Sequence, residues 1–150
     1  MLIAIGSDHA GLELKEEVVR LLSELKHDVT DFGACRPESV DYPDFGEKVA
    51  DAVSSGKADR GILICGTGIG MSIVANKFPH VRAALCGELF SAKMSRMHNN
   101  ANILVLAGRI IGRDLAKEIV RIWMETEFEG GRHQRRIDKI DLIEKKNFKG

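Results

Sequence analysis

Cysteine is scarce in this chain. There are three, Cys35, Cys65 and Cys86, far apart and without a C-x-x-C pair. Such a set builds no disulfide scaffold and reads as reduced thiols in a cytoplasmic protein. Charge of one sign is also missing. Lys+Arg and Asp+Glu number 22 each, whereas a general nucleic-acid binder carries a basic excess. Long apolar runs are absent too, and none approaches the roughly 18 residues of a membrane span. The opening stretch MLIAIGSDHAG has no basic lead-in and meets Asp8 almost at once, unlike a secretory signal. No two histidines have metal-ligand spacing, so the expectation is no metal and no cofactor. Repeats, linkers and low-complexity tracts are also lacking.

What remains is an ordinary globular composition, 44% hydrophobic and 29% charged, in 150 residues. One domain spanning 1–150 is expected, large enough for a real core. Five short apolar runs recur: LIAIG at 2–6, DVTDFG at 28–33, RGILICG at 60–66, RAALCG at 82–87 and NILVLAG at 102–108. Continuous rather than alternating apolar runs predict strands of a parallel sheet buried on both faces. The run at 28–33 is the most polar and belongs nearest an edge. Helical periodicity fills the gaps: Leu14, Val18, Leu21 and Leu25; Phe45, Val49 and Ala52; Leu115, Ile119 and Ile122. Short helices are expected after Gly70 and over 88–97. Alternation of the two kinds gives βαβ units and a doubly wound α/β domain. A last helix over 135–146, with Ile137, Ile140 and Ile143 on one side, follows Gly130-Gly131 and has no strand after it. It packs on its own domain or on a partner subunit.

In open α/β sheets the ligand crevice lies beyond the carboxyl ends of the strands. That rule selects Ser7, Asp8 and His9, the stretch Cys65–Ser72, Gly87-Glu88, and Gly108-Arg109. The stretch ILICGTGIGMS places three glycines, Gly66, Gly68 and Gly70, within five residues. Its spacing is G-x-G-x-G, which matches neither the dinucleotide fingerprint nor the P-loop. Convergent backbone N–H groups would still make a pocket for an anion or a developing oxyanion; the plainer reading is a tight strand-to-helix turn. Helix N-termini favour thiolates, so Cys65 reads as a base or nucleophile, or as a small buried hydrophobe. Cys35 and Cys86 read as buried hydrophobes. Asp8-His9 can handle hydroxyls and a phosphate, or cap the helix that follows. His98 with Asn99 and Asn100 suits proton transfer and hydroxyl binding, or forms a polar loop. His27 and His80 read as surface histidines. In GGRHQRR at 130–136, Arg132 and Arg136 lie four apart and can hold one phosphate. Asp138, Asp141 and Glu144 neutralise that patch, which favours a small anion over a polyanion.

These motifs in this order (GSDHAG, SVDYPDF, ICGTGIGMSIVANK, HNNANILVLAGR and GGRHQRR) resemble the type B ribose-5-phosphate isomerases, of the sugar-phosphate isomerase family that also includes the related allose- and galactose-6-phosphate isomerases. The resemblance covers essentially the whole chain. It implies a single three-layer α/β/α, Rossmann-like domain with a five-stranded parallel sheet, and no metal or cofactor. It also implies a cytoplasmic homodimer or homotetramer whose active site is shared between subunits, acting in the pentose phosphate pathway. Cys65 would be the base that moves a proton between C2 and C1 of the sugar. One branch of the family has a glutamate at or near Met71; with no acid there, this chain resembles the cysteine branch. His98 would be the acid that opens the furanose ring, with Asp8 and Thr67 assisting. The backbone of Gly66, Thr67, Gly68, Ile69 and Gly70 would hold enediolate oxygens. His9, Arg109, Arg132 and Arg136 would bind phosphate, and Tyr42 and Asn99 would line the sugar. The rival substrates are six-carbon sugar 6-phosphates. Two rival classes are a non-catalytic phosphate-binding module and a redox thiol protein.

Overall fold

A computed structural model describes residues 1–148. The elements run β1 (Leu2–Ser7), a 3-10 turn (His9–Gly11), α1 (Leu12–Glu24), β2 (Asp28–Asp31), α2 (Tyr42–Ser54), β3 (Arg60–Cys65), α3 (Ile69–Ala75), β4 (Ala83–Leu85), α4 (Leu89–Met97), β5 (Ile103–Ala107), α5 (Arg113–Glu125) and α6 (Arg132–Asn147). The five strands form one sheet in the order β2-β1-β3-β5-β4, and every neighbouring pair is parallel. The α/β architecture anticipated from the apolar runs is the one observed, with the appended C-terminal helix in place.

The central strands β1, β3 and β5 are almost wholly apolar because both their faces are covered. Side chains alternate between faces along each strand. Ile3, Ile5, Ile62, Ile64, Leu104 and Leu106 point toward α1, α4 and α5, where they pack with Leu14, Val18, Leu22, Ile119 and Trp123. Ala4, Leu63, Cys65, Ile103 and Val105 point the other way, onto Val49, Ala50 and Val53 of α2 and Met71 of α3. Each fully buried Ile or Leu stabilises the fold by roughly 1.5–3 kcal/mol. β2 and β4 take the two edges. The polar DVTD of β2 is largely exposed, as its composition implied. β4 is only three residues long, shorter than the run 82–87, because a ladder on one side alone supports it.

Two buried cations, Lys15 and Arg96, and the half-buried Arg60 brace this frame. Lys15 is 1% exposed. Its ammonium donates to Asp31 Oδ1 and Oδ2 at 2.7 and 2.9 Å and to the Ala34 carbonyl at 2.6 Å, tying α1 to the segment after β2. Arg60 and Arg96 flank the buried Trp123, 5.3 and 5.8 Å from its ring. Burial pulls the Arg96 guanidinium down to about 10.

Helix α6 is held lightly. Among its apolar residues Ile137 is buried, but Ile140, Leu142 and Ile143 are exposed. Glu144 accepts from the His80 amide at 2.8 Å, and Asp141 lies 3.7 Å from Arg82. Among the described residues no helix is long and apolar enough to cross a membrane.

Candidate active site

The strand order reverses between β1 and β3. The first crossover places β2 on one side of β1, and the remaining strands lie on the other. At such a switch point two loops diverge and leave a crevice. The crevice walls are Ser7-Asp8 and Cys65-Gly66. They are joined by the Asp8 amide donating to the Ile64 carbonyl at 3.2 Å.

Each glycine of the CGTGIG turn has its own reason to lack a side chain. Gly68 has φ +78, the left-handed conformation that lets the chain turn from β3 into α3. The turn starts α3 at Ile69, earlier than the expected start after Gly70. A Cβ on Gly70 would lie 2.5 Å from Cζ of Tyr42, so the hydroxyl end of the phenol packs directly against the backbone there. The Arg109 side chain lies over Gly66 in the same way, 3.3 Å from a built Cβ. The turn is thus a bare backbone surface with Tyr42 and Arg109 laid across it. The Ile69 amide donates to Thr67 Oγ1 at 3.3 Å. Among the described residues, the amides of Gly66, Thr67, Gly68 and Gly70 donate to nothing. Successive free amides in a glycine turn can form an anion-binding nest.

Cys65 is buried, 4% exposed, at the tip of β3. Cys86 is buried as expected, but Cys35 is exposed. It sits in the loop after β2, where the chain runs over the surface and covers no thiol.

Asp8 does act as a cap. One carboxylate oxygen, Oδ1, accepts from the Ala10 and Gly11 amides at 3.0 and 3.2 Å, and Oδ2 accepts from no group among the described residues. His9 is orientated by the loop before α2. The Val40 amide donates to Nδ1 at 3.1 Å, which leaves Nε2 to carry the ring hydrogen of the neutral form and face an anion. Glu88, at another strand tip, is spent on capping α4 through Phe90 and Ser91 at 2.7 and 2.9 Å.

The remaining candidates are elsewhere. His98 caps the carboxyl end of α4. A helix that links two parallel strands must carry the chain back across the sheet, so its carboxyl end lies at the amino ends of the strands. The five residues of β5 separate that edge from the crevice by roughly 16 Å, at about 3.3 Å per residue. Arg132 and Arg136 open α6 after α5 has made the same return. Asn99 is exposed beside His98, with its carbonyl accepting from Arg82 Nε at 3.0 Å. The candidates therefore fall into two clusters on opposite edges of the sheet. Cys65, Thr67, Asp8, His9, Tyr42 and Arg109 are on one, and His98, Asn99, Arg132 and Arg136 are on the other.

The arginines suit an anion. Arg82 and Arg113 pair with Asp141 and Glu17, whereas among the described residues Arg109, Arg132 and Arg136 have no carboxylate partner. A cavity of about 580 Å³ opens beside His9 and Gly108, but Glu13, Glu16 and Glu17 line it and Cys65 does not. Arg20 and Arg113 line it as well, and Glu17 pairs with both.

One residue that sequence spacing did not single out is His133. Its ring stacks on His98 with centroids 4.1 Å apart and planes 15° apart. Glu129 lies 3.9 Å from its Nε2. These three residues bring potential metal-ligand atoms within 4.8 Å of one another. Stacked imidazoles, however, direct their lone pairs side by side rather than at one point. Burial and the neighbouring His98 hold the His133 imidazole below its ordinary value of 6.5.

A nest of backbone amides beside a thiol and a carboxylate–imidazole pair, at the switch point of a parallel sheet, defines an α/β enzyme that works on a small anionic metabolite. Comparison with known proteins makes this specific. The chain belongs to the Ribose/Galactose Isomerase family, whose profile matches residues 3–140. It is 49% identical to ribose-5-phosphate isomerase B of Escherichia coli (strain K12), over 96% of this chain and 97% of that protein. The solved structure of Clostridium thermocellum ribose-5-phosphate isomerase B is 57% identical, with a TM-score of 0.96 covering 99% of this chain and 100% of that one. The Mycoplasma genitalium enzyme, solved with bound ribulose 5-phosphate, is 44% identical with a TM-score of 0.94 over 97% of both chains.

Proposed function

We propose that this protein interconverts ribose 5-phosphate and ribulose 5-phosphate. The observation that carries the reading is the Cys65–Gly70 turn, which sets a thiol against four free amides at the switch-point crevice. Aldose–ketose isomerisation needs a base for a carbon-bound proton and donors for the oxyanion that results. This turn supplies both within six residues.

The reaction begins with the furanose. The C1–O4 bond breaks, O4 takes a proton from His98, and the O1 hydroxyl loses its proton to the free Oδ2 of Asp8. Cys65, as thiolate, then removes the C2 proton, and the electron pair becomes the C1–C2 double bond of a cis-enediolate. The amides of Gly66, Thr67, Gly68 and Gly70 hold the O1 charge; a preorganised donor of this kind is worth about 3 kcal/mol. Cys65 returns its proton to C1, the O2 proton passes to O1 with the Thr67 hydroxyl alongside, and C2 becomes the ketone. His9, Arg109, Arg132 and Arg136 grip the phosphate, which orients the reacting carbon from a distance. Tyr42 and Asn99 line the sugar.

Two half-sites on opposite edges of one sheet complete each other only across two chains. An apolar surface between them supports a homodimer: Ile69, Ile73, Leu85, Leu89 and Phe90 are 39–71% exposed, and such surface marks an interface. We read residues 1–150 as one domain of a cytoplasmic, metal-free enzyme of pentose phosphate metabolism.

The test is turnover measured side by side on ribose 5-phosphate, allose 6-phosphate and galactose 6-phosphate. Ribose 5-phosphate is expected to be the preferred substrate, and Cys65→Ala to abolish its turnover in a folded protein. A hexose phosphate preference would overturn the substrate, and near-normal turnover in Cys65→Ala would overturn the base.

A further inference from the structure

We propose that His133 is the positioning residue for His98, holding its imidazole in the plane that aims a ring nitrogen at the sugar ring oxygen. The inference rests on the assignment of His98 to ring opening. Among the described residues no side-chain hydrogen bond orients that ring. The His98 amide donates to the Met94 carbonyl at 2.8 Å, but among the described residues its side chain makes no hydrogen bond, and it is half-buried. The face of His133 covers it at 4.1 Å and 15°.

His133 itself is fixed. It is 4% exposed and lies in the first turn of α6, with its amide donating to Gly130 at 3.0 Å. The segment that carries it is fastened to the end of α4. The Glu129 amide donates to the Met97 carbonyl at 3.1 Å, the residue just before His98. Arg96 Nε donates to the Thr126 carbonyl at 3.3 Å, and its Nη1 to the Ala101 carbonyl at 2.6 Å. Glu129 Oε2 lies 3.9 Å from His133 Nε2, a buried imidazole nitrogen without a hydrogen-bond partner among the described residues. The platform is therefore built from both sides, and the His98 ring lies on it.

The plane matters because an imidazole N–H and its lone pair lie in the ring plane. A catalytic group must be held within about 10–20° of its productive orientation. Tilting the ring about its bond to Cβ swings the donated proton away from O4.

The chemistry offers a split readout. Ribose 5-phosphate must open its ring before it reacts. Ribulose 5-phosphate has its C5 oxygen blocked by phosphate and forms no furanose. Its C1 proton exchanges with solvent deuterium through Cys65 alone, without His98. His133→Leu keeps the buried volume and loses the flat face. It is expected to lower ribose 5-phosphate turnover about tenfold, a fraction of what general acid catalysis contributes, while deuterium exchange into ribulose 5-phosphate stays at the unsubstituted rate. His133→Phe keeps a flat face and is expected to restore most of the turnover. Equal loss of turnover and exchange in His133→Leu would overturn the proposal, and so would a His133→Phe as slow as His133→Leu. His98→Ala separates the two levels. If His98→Ala loses ribose turnover but His133→Leu does not, the platform is refuted and the role of His98 stands. If His98→Ala turns over normally, the reading of His98 itself is refuted, and the platform with it.

Discussion

Replacing Lys15 by methionine tests how the frame holds the site. Methionine fills the volume of the lysine stem with little packing penalty, so the substitution removes mainly the ammonium. Three charge-assisted hydrogen bonds of 2.6–2.9 Å go with it. Removing one member of a buried ion pair costs about 3–5 kcal/mol when the other is stranded. Here the stranded member is not dry: the Asp31 side chain is 39% exposed, against 2% for Lys15. Water takes up the carboxylate, which pulls the expected loss toward the lower limit. The Ala34 carbonyl, by contrast, is left inside a buried segment, and an unsatisfied buried acceptor costs about 1–3 kcal/mol. The expected total is about 3 kcal/mol, equivalent to a fall in Tm of roughly 6–12 °C for a chain of this size. Urea unfolding followed by circular dichroism measures it. The loop from Gly33 to Asp41 is also freed, and that loop supplies the Val40 amide to His9, so KM for the sugar phosphate should rise. A loss below about 1 kcal/mol would refute the reasoning, because Lys15 would then contribute no more than its methylenes.

Gly70→Ala puts a methyl group into the Tyr42 ring, 2.5 Å from Cζ. Tyr42 is 39% exposed and can swing out, so thermal melting should show a loss of no more than about 1 kcal/mol while steady-state kinetics show a clear rise in KM; unchanged KM would remove Tyr42 from the sugar pocket. Burial and the neighbouring His98 depress His133 from 6.5, so below that pH the unfolded chain binds a proton that the folded chain does not. Stability should fall as pH drops through 6.5 toward the folded value, with His27, lowered by its own burial and by the N-terminal ammonium, adding to the slope. Denaturant midpoints against pH should show a shallower acid limb in His133→Gln, and an identical limb would contradict the assignment.

The runs of β1, β3 and β5 were legible because parallel strands buried on both faces must be apolar almost without interruption. The polarity of DVTD marked an edge for the same reason. The division of the candidates between two edges of the sheet was less visible. The motif order places GTGIG and HNNAN close together along the chain, yet a helix between parallel strands carries HNNAN to the opposite edge of the sheet. That consequence follows from topology rather than from any residue type. The contact of His98 with His133 lies beyond pattern reading altogether. The two rings are brought together by α4 and α6, and the GGRHQRR stretch drew attention through its arginines, while the histidine among them carried the packing. Cys35 was misread because a cysteine in a surface loop has no neighbour in sequence that reveals its exposure.

The shared site is the central claim, and mixing two dead variants tests it most directly. Cys65→Ala and His98→Ala are unfolded together in equal amounts and refolded. Each homodimer lacks one half of every site. In the mixed dimer one site carries both substitutions and the other carries neither. Random pairing through a two-fold interface then leaves about a quarter of all sites intact. Ribose 5-phosphate turnover in the mixture should recover to roughly a quarter of the unsubstituted rate. A mixture as inactive as its two components would place the whole site within one chain and contradict the account.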